Sequence, residues 1–211
     1  MIFLRRCLVA TETWLRNLKP GFIIPLGFIG GLTLGVIARL WMRWIAPHPE
    51  FTWGGTIGIL VGFTLFFTAH SIVFFAMRKG WSRRSTMIAR IAAVPLSLLL
   101  FSAQGAVMLP TVVTGSLAVW RKSWPKWARV TLGMASFVIP VMVVKDIVGD
   151  FGWSISTIGR ILLFALIYGV VVAITQPTAA KFPGGKPMSR KKKIYFALAL
   201  LFLIGILLYF G

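Results

Sequence analysis

Acidic side chains are almost missing from this sequence: Glu12, Glu50, Asp146 and Asp150 are the only four in 211 residues. So few carboxylates leave little material for the acid pairs and carboxylate-held metals of many hydrolytic centres. Cysteine occurs once, at Cys7, which excludes an intrachain disulfide and a thiolate metal site. Histidine occurs twice, at His48 and His70, and only His70 falls inside an apolar run, so a haem held by two intramembrane histidines is excluded. HExxH, GxSxG and a Walker loop are all absent. No metal and no cofactor is expected, and the sequence leans away from catalysis.

Charge as a whole is also scarce. Only 13% of residues are charged while 58% are apolar, and the mean hydropathy is +0.87. A soluble globule could not hide so much apolar surface. The charge that remains is one-sided: 23 Lys and Arg against the four acids give +19. A nucleic-acid binder could carry that charge, but not several apolar runs of about 20 residues, so no nucleic-acid partner is expected. The fold class expected is all-α, a polytopic transmembrane helical bundle.

Apolar stretches run over Gly21–Ile45, Gly54–Met77, Met87–Val119, Ala128–Val144, Ser156–Thr175 and Ile194–Phe210. Residues 87–119 are too many for one untilted crossing of about 30 Å, and Pro95, Ser102, Gln104, Gly105 and Pro110 interrupt them. A single crossing would place ten basic residues of 120–129 and 176–193 outside, against the positive-inside bias. A short helical hairpin turning near Ser102–Gly105 instead gives about seven membrane segments. It also collects 19 of the 23 basic residues on the cytoplasmic side. The hairpin arms are either full crossings or a re-entrant pair, and both return the chain to the same side. All nine tryptophans, among them Trp41, Trp53, Trp120 and Trp153, lie at span ends or in loops, as indole prefers headgroup depth.

This organisation is one transmembrane domain over 21–211. Ahead of it lies an interfacial amphipathic segment, 1–20, which lacks the apolar core of a cleavable signal. The Pro- and Gly-rich stretch 176–193, with Arg190 to Lys193, reads as a basic cytoplasmic linker. The N-terminus is expected in the cytoplasm and the C-terminus outside, in a bacterial inner membrane. The cytoplasmic cations are expected to attract anionic lipids.

Two groups of residues stand out. Gly27, Gly31 and Gly35 form a ridge at four-residue spacing, and Gly54, Gly58 and Gly62 form another, so the first two helices are expected to pack through these faces. An outer polar cluster gathers Arg39, Arg43, His48, Glu50, Lys145, Asp146, Asp150 and Arg160, as a candidate binding site or a structural clasp. Arg39 continues the glycine ridge, so it is expected to pair with Glu50, Asp146 or Asp150, because an unpartnered cation between helices is costly. Arg160 is expected to pair in the same way. Intramembrane polar residues are His70, read as a hydrogen-bonded packing residue, and Gln104.

The run ARLWMRW at Ala38–Trp44, followed by PHPEFTW at Pro47–Trp53, resembles a motif (ARxWMR, then PEFTW) of small uncharacterised bacterial membrane proteins. The resemblance covers the first two helices and implies a helical inner-membrane protein without implying an activity. The function expected is a non-catalytic or accessory subunit of a membrane complex, bound to partner subunits. The alternatives are a small transporter or channel with a polar outer rim and, behind it, a lipid-headgroup enzyme.

Overall fold

The computed structural model describes residues 19–46, 51–102 and 108–180, and every regular element among them is helical. A single 3-10 turn, Pro20–Phe22, leads into α1 (Ile23–Ile45). Then come α2 (Trp53–Arg78), α3 (Arg83–Ser102), α4 (Leu109–Trp120), α5 (Lys126–Phe151), α6 (Ile155–Ile174) and the one-turn α7 (Gln176–Ala179). Local chemistry sets the ends. Pro20 opens the first turn, where a missing N–H costs nothing. Gly152, at φ +64°, stops α5, and Ser154 starts α6 by accepting the Thr157 N–H at 3.1 Å.

The turn plus α1 (Pro20–Ile45), α2, Arg83–Phe101 of α3, α5 and α6 are each long and apolar enough to cross a membrane. The chain is therefore an all-helical membrane bundle. The last apolar segment expected, 194–210, lies outside the described residues, as do 1–18 and the basic run Arg190–Lys193.

Antiparallel pairs build the bundle. Along α1 and α2, Arg39 meets Thr56 near one end while Gly27 faces Ser71 near the other. Along α2 and α3, Gly62 faces Leu100, and the Met77 sulfur meets Arg90 at 3.3 Å. Along α4 and α5, Arg129 Nε donates to the Ala118 carbonyl at 2.9 Å. Helix α6 joins the two groups. On one side Trp41 stacks on Phe164 at 5.2 Å, and on the other Trp120 Nε1 donates to the Val172 carbonyl at 3.0 Å. Phe63, Phe101, Val112, Ile139, Phe164 and their neighbours form one buried apolar cluster drawn from both groups.

The chain does reverse between α3 and α4, but the two arms differ from the near-equal hairpin expected. Helix α3 has 20 residues and packs chiefly on α2; α4 has 12 and packs chiefly on α5. Twelve residues span only about 18 Å, short of a crossing. The short arm is enclosed: Pro110, Thr111, Val112, Thr114, Gly115, Ser116 and Ala118 are all buried. Enclosure is what an incomplete helix needs at membrane depth, because lipid cannot satisfy its free backbone ends. The tip, including Gln104, lies outside the described residues.

Two further expectations are corrected. The stretch read as a linker begins as structure: α7 packs on α2 and α4, and Pro177 is buried. The second glycine ridge does not meet the first. Helix α1 lays Gly27, Gly31 and Gly35 against Leu60, Phe63, Thr64, Phe67 and Ser71, while Gly62 faces α3, and an added Cβ at Gly54 or Gly58 would meet nothing within 4 Å. The reason is angular. Residues 60, 63, 64, 67 and 71 share one face of α2, and 54, 58 and 62 lie roughly 120–160° away, towards its opposite side.

These pairings put like ends together. Lys19, Arg78, Lys79, Arg83, Arg84, Arg90, Arg121, Lys122, Lys126 and Arg129 gather towards one end of the bundle. Arg39, Arg43, Lys145 and Arg160 lie towards the other, with the two described acids Asp146 and Asp150.

Candidate functional site

The less basic end is built from the last turns of α1 and α5 and the first turns of α2 and α6. Arg39 leaves α1 directly beyond the glycine ridge, so its stem enters the α1–α2 interface. There its Nε donates to Thr56 Oγ1 at 3.0 Å, and Thr56 in turn donates to the Thr52 carbonyl at 3.0 Å. Arg39 Nη2 is buried and has no hydrogen-bond partner among the described residues.

The other two arginines rest on aromatic rings. The Arg160 guanidinium lies 3.7 Å from the Phe151 ring centroid and 5.6 Å from that of Trp44, and the Arg43 guanidinium lies 5.4 Å from Phe51. A ring face attracts a cation through its quadrupole, by about 0.5–1 kcal/mol when exposed and about 2 when desolvated. Trp41 completes the clasp: its Nε1 donates to the Arg160 carbonyl at 2.8 Å while its ring stacks on Phe164. Gly159 lets Trp44 lie close, since an added Cβ there would stand 3.2 Å from Trp44 Cη2.

Two of the three expected acid partners, Asp146 and Asp150, do not reach Arg39 or Arg160. Among the described residues no carboxylate lies within ion-pair distance of Arg39 or Arg160; Thr56 serves the first and the rings serve the second. Lys145, Asp146 and Asp150 are exposed on α5, and α1 packs on α2 and α6 instead. His48 and Glu50 lie outside the described residues. The six described residues of the outer cluster therefore divide into an arginine–aromatic clasp on α1 and α6 and an exposed charged edge on α5.

His70 is buried in α2, its Nδ1 2.8 Å from the Phe66 carbonyl and its ring 4.4 Å from that of Phe66. A carbonyl can only accept, so Nδ1 carries the proton and the ring bonds within its own helix. Among the described residues no three His, Cys, Asp or Glu side chains gather as a metal site would need.

Sequence reasoning missed a groove of about 560 Å³. Its walls are α5 and α6 and its floor is α4, and much of its lining is small: Gly115, Gly133, Ser136, Ala165, Gly169 and Ala173. An added Cβ at Gly169 would meet nothing within 4 Å. The signal was present, since Ala165, Gly169 and Ala173 repeat at four-residue spacing just as the ridge of α1 does. The aromatic clasp was legible too: the ARLWMRW and PEFTW runs supply Arg39, Trp41, Arg43, Trp44 and Phe51.

No protein-family model, no curated protein and no solved structure matches this chain.

Proposed function

We propose that this protein is a non-catalytic accessory subunit of a membrane complex, and that a transmembrane helix of a partner subunit lies in the groove between α5 and α6. The observation that carries the reading is the small-residue ridge Ala165, Gly169, Ala173 lining that groove, which no described residue fills. Within a bilayer, water gives little reason for helices to associate. They pack where small residues let backbones approach and dispersion contacts accumulate. The α1 ridge shows what such a face does when it is occupied, with α2 backbone within 3.2 Å of where a Cβ would stand at Gly31 and Gly35. From Ile161 to Ala173 the α6 wall runs about 18 Å along the helix, an elongated slot suited to another helix.

The arginine–aromatic clasp supports the same reading. It uses cations to tie α1, α2 and α6 together, and among the described residues it brings no acid or histidine to them. The orientation that accompanies this reading has the more basic end in the cytoplasm, by the positive-inside bias.

The experiment is purification of the full chain in mild detergent with a photoreactive residue in place of Phe137, which lines the groove. A crosslink to a second membrane protein that co-purifies with the wild type, lost in Gly169→Leu, supports the proposal. A crosslink within the same chain, to residues 194–210, or none at all, overturns it.

A further inference from the structure

Helices α1 and α6 meet at one end of the bundle and part towards the other. Near the less basic end Trp41 stacks on Phe164, and Trp44 lies against Gly159. Near the more basic end a cavity of about 240 Å³ lies between Leu26 and Gly30 of α1 and Ala173 and Ile174 of α6. Its floor is α2, through Phe67, His70, Ser71 and Phe74. Leu26 is exposed and Phe74 half-buried, so the cavity opens sideways onto the apolar flank of the bundle. Apart from His70, Ser71 and Gln176, every side chain that lines it is apolar.

His70 is only 3% exposed. Its Nδ1, the nitrogen nearer the stem, is held 2.8 Å from the Phe66 carbonyl of its own helix. That hold turns the far edge of the ring, with Nε2, away from α2 and into the cavity that the residue lines. Because Nδ1 carries the proton, Nε2 of the neutral ring can only accept. It has no hydrogen-bond partner among the described residues. A buried acceptor without a donor is unfavourable, and His70 stands about 12 Å along the helix from Arg78, at membrane depth. A molecule entering from the lipid can supply the donor.

Size and lining narrow the class. An apolar cavity of about 150 Å³ admits benzene, so this one has room for a substituted ring. Phe67 and Phe74 offer aromatic surface to such a ring. We propose that this cavity binds an aromatic hydroxyl compound from the bilayer, whose O–H donates to His70 Nε2. The compound is either a tail-less phenol or the hydroquinone head group of a membrane quinol; both carry the same hydroxyl. The oxidised quinone, whose oxygens only accept, gains nothing from Nε2. The cavity shares only Ala173 with the α5–α6 groove. Binding is measured on this chain without a partner, so its failure leaves the helix-docking proposal standing.

The test uses the full chain in phosphatidylcholine nanodiscs, with tritiated trimethylhydroquinone under nitrogen as the probe and empty discs as the blank. The wild type is expected to bind it saturably. The dimethyl ether of the probe keeps the ring and loses both donors. It and trimethylbenzoquinone should compete about fivefold less well, the worth of one neutral hydrogen bond. His70→Phe should lose the same factor and no longer distinguish the hydroquinone from its ether. Gly30→Leu should abolish binding, because its side chain extends into the cavity beside Phe67, whereas Gly58→Leu, with nothing within 4 Å, should behave as wild type. Competition by a decyl-tailed hydroquinone at least as strong as by the probe assigns a membrane quinol; weaker competition assigns a tail-less phenol. No saturable binding overturns the site, as do equal competition by the ether and unchanged binding in Gly30→Leu. Should His70→Phe fail to fold, the ether comparison on the wild type decides.

Discussion

Gly31→Ala adds one carbon at the closest approach of α1 to α2. That carbon would stand 2.7 Å from the Phe63 carbonyl oxygen, 2.8 Å from Thr64 Cα and 2.9 Å from Phe67 Cβ. Two of these are backbone atoms, which cannot swing aside as the end of a long side chain can. Carbon atoms rest about 3.5–4.0 Å apart, so the helices must separate by roughly 1 Å. A gap of that size forfeits a quarter to half of each neighbouring dispersion contact along the interface. Overpacking of this kind costs about 1–3 kcal/mol, offset by up to about 1 kcal/mol because alanine favours a helix over glycine. We expect a net loss of about 1–2 kcal/mol for Gly31→Ala, and more for Gly31→Ile. Gly58→Ala is the matched control, because nothing lies within 4 Å of its added carbon. It retains only the helix preference and should be neutral or stabilising by up to about 1 kcal/mol. The assay is reversible unfolding in mild detergent, by heat or by a rising fraction of dodecyl sulfate, followed by tryptophan fluorescence. Gly31→Ala as stable as Gly58→Ala would refute the packing argument.

Arg39→Ala should cost more stability than Arg43→Ala in the same assay. Arg39 is half-buried and bonded to Thr56, where a charged hydrogen bond contributes about 1.5–3 kcal/mol, whereas Arg43 is exposed and rests on one ring at about 0.5–1 kcal/mol. A larger loss in Arg43→Ala would refute the buried clasp. Topology reporters fused after residues 85, 124 and 186 should all report cytoplasm. An external signal at 124 with an internal one at 85 would contradict the chain reversal between α3 and α4.

Several pieces of this protein were readable before any contact was known. The tight approach of α1 to α2 follows from Gly27, Gly31 and Gly35, because four-residue spacing places them on one line and only glycine leaves that line bare. The partner face was not readable in the same way. Phe63, Phe67 and Leu60 carry no mark of packing that Phe74 or Leu65 lacks, so the glycines of α2 looked the better match and were not. Pairing of Arg39 with an acid follows from its place on the glycine ridge and the cost of a bare cation, and that reasoning leaves out the threonine hydroxyl and the aromatic rings that also lower the cost of a cation between helices.

Composition and periodicity by themselves determined the class of solvent, the helical fold, the approximate spans and the sorting of cations toward one end. Those properties are sums over many residues, each adding a small transfer energy or a small bias, so no single contact is needed to read them. The tertiary structure alone decided that 109–120 is a short enclosed helix and not a matched hairpin arm. It alone turned the glycines of α2 away from α1 and placed Arg160 on Phe151 instead of on an acid. Each of these depends on which of several nearly equivalent apolar faces meet. That choice rests on the fit of individual side chains across helices distant in sequence, where a rotation of one quarter-turn changes every partner.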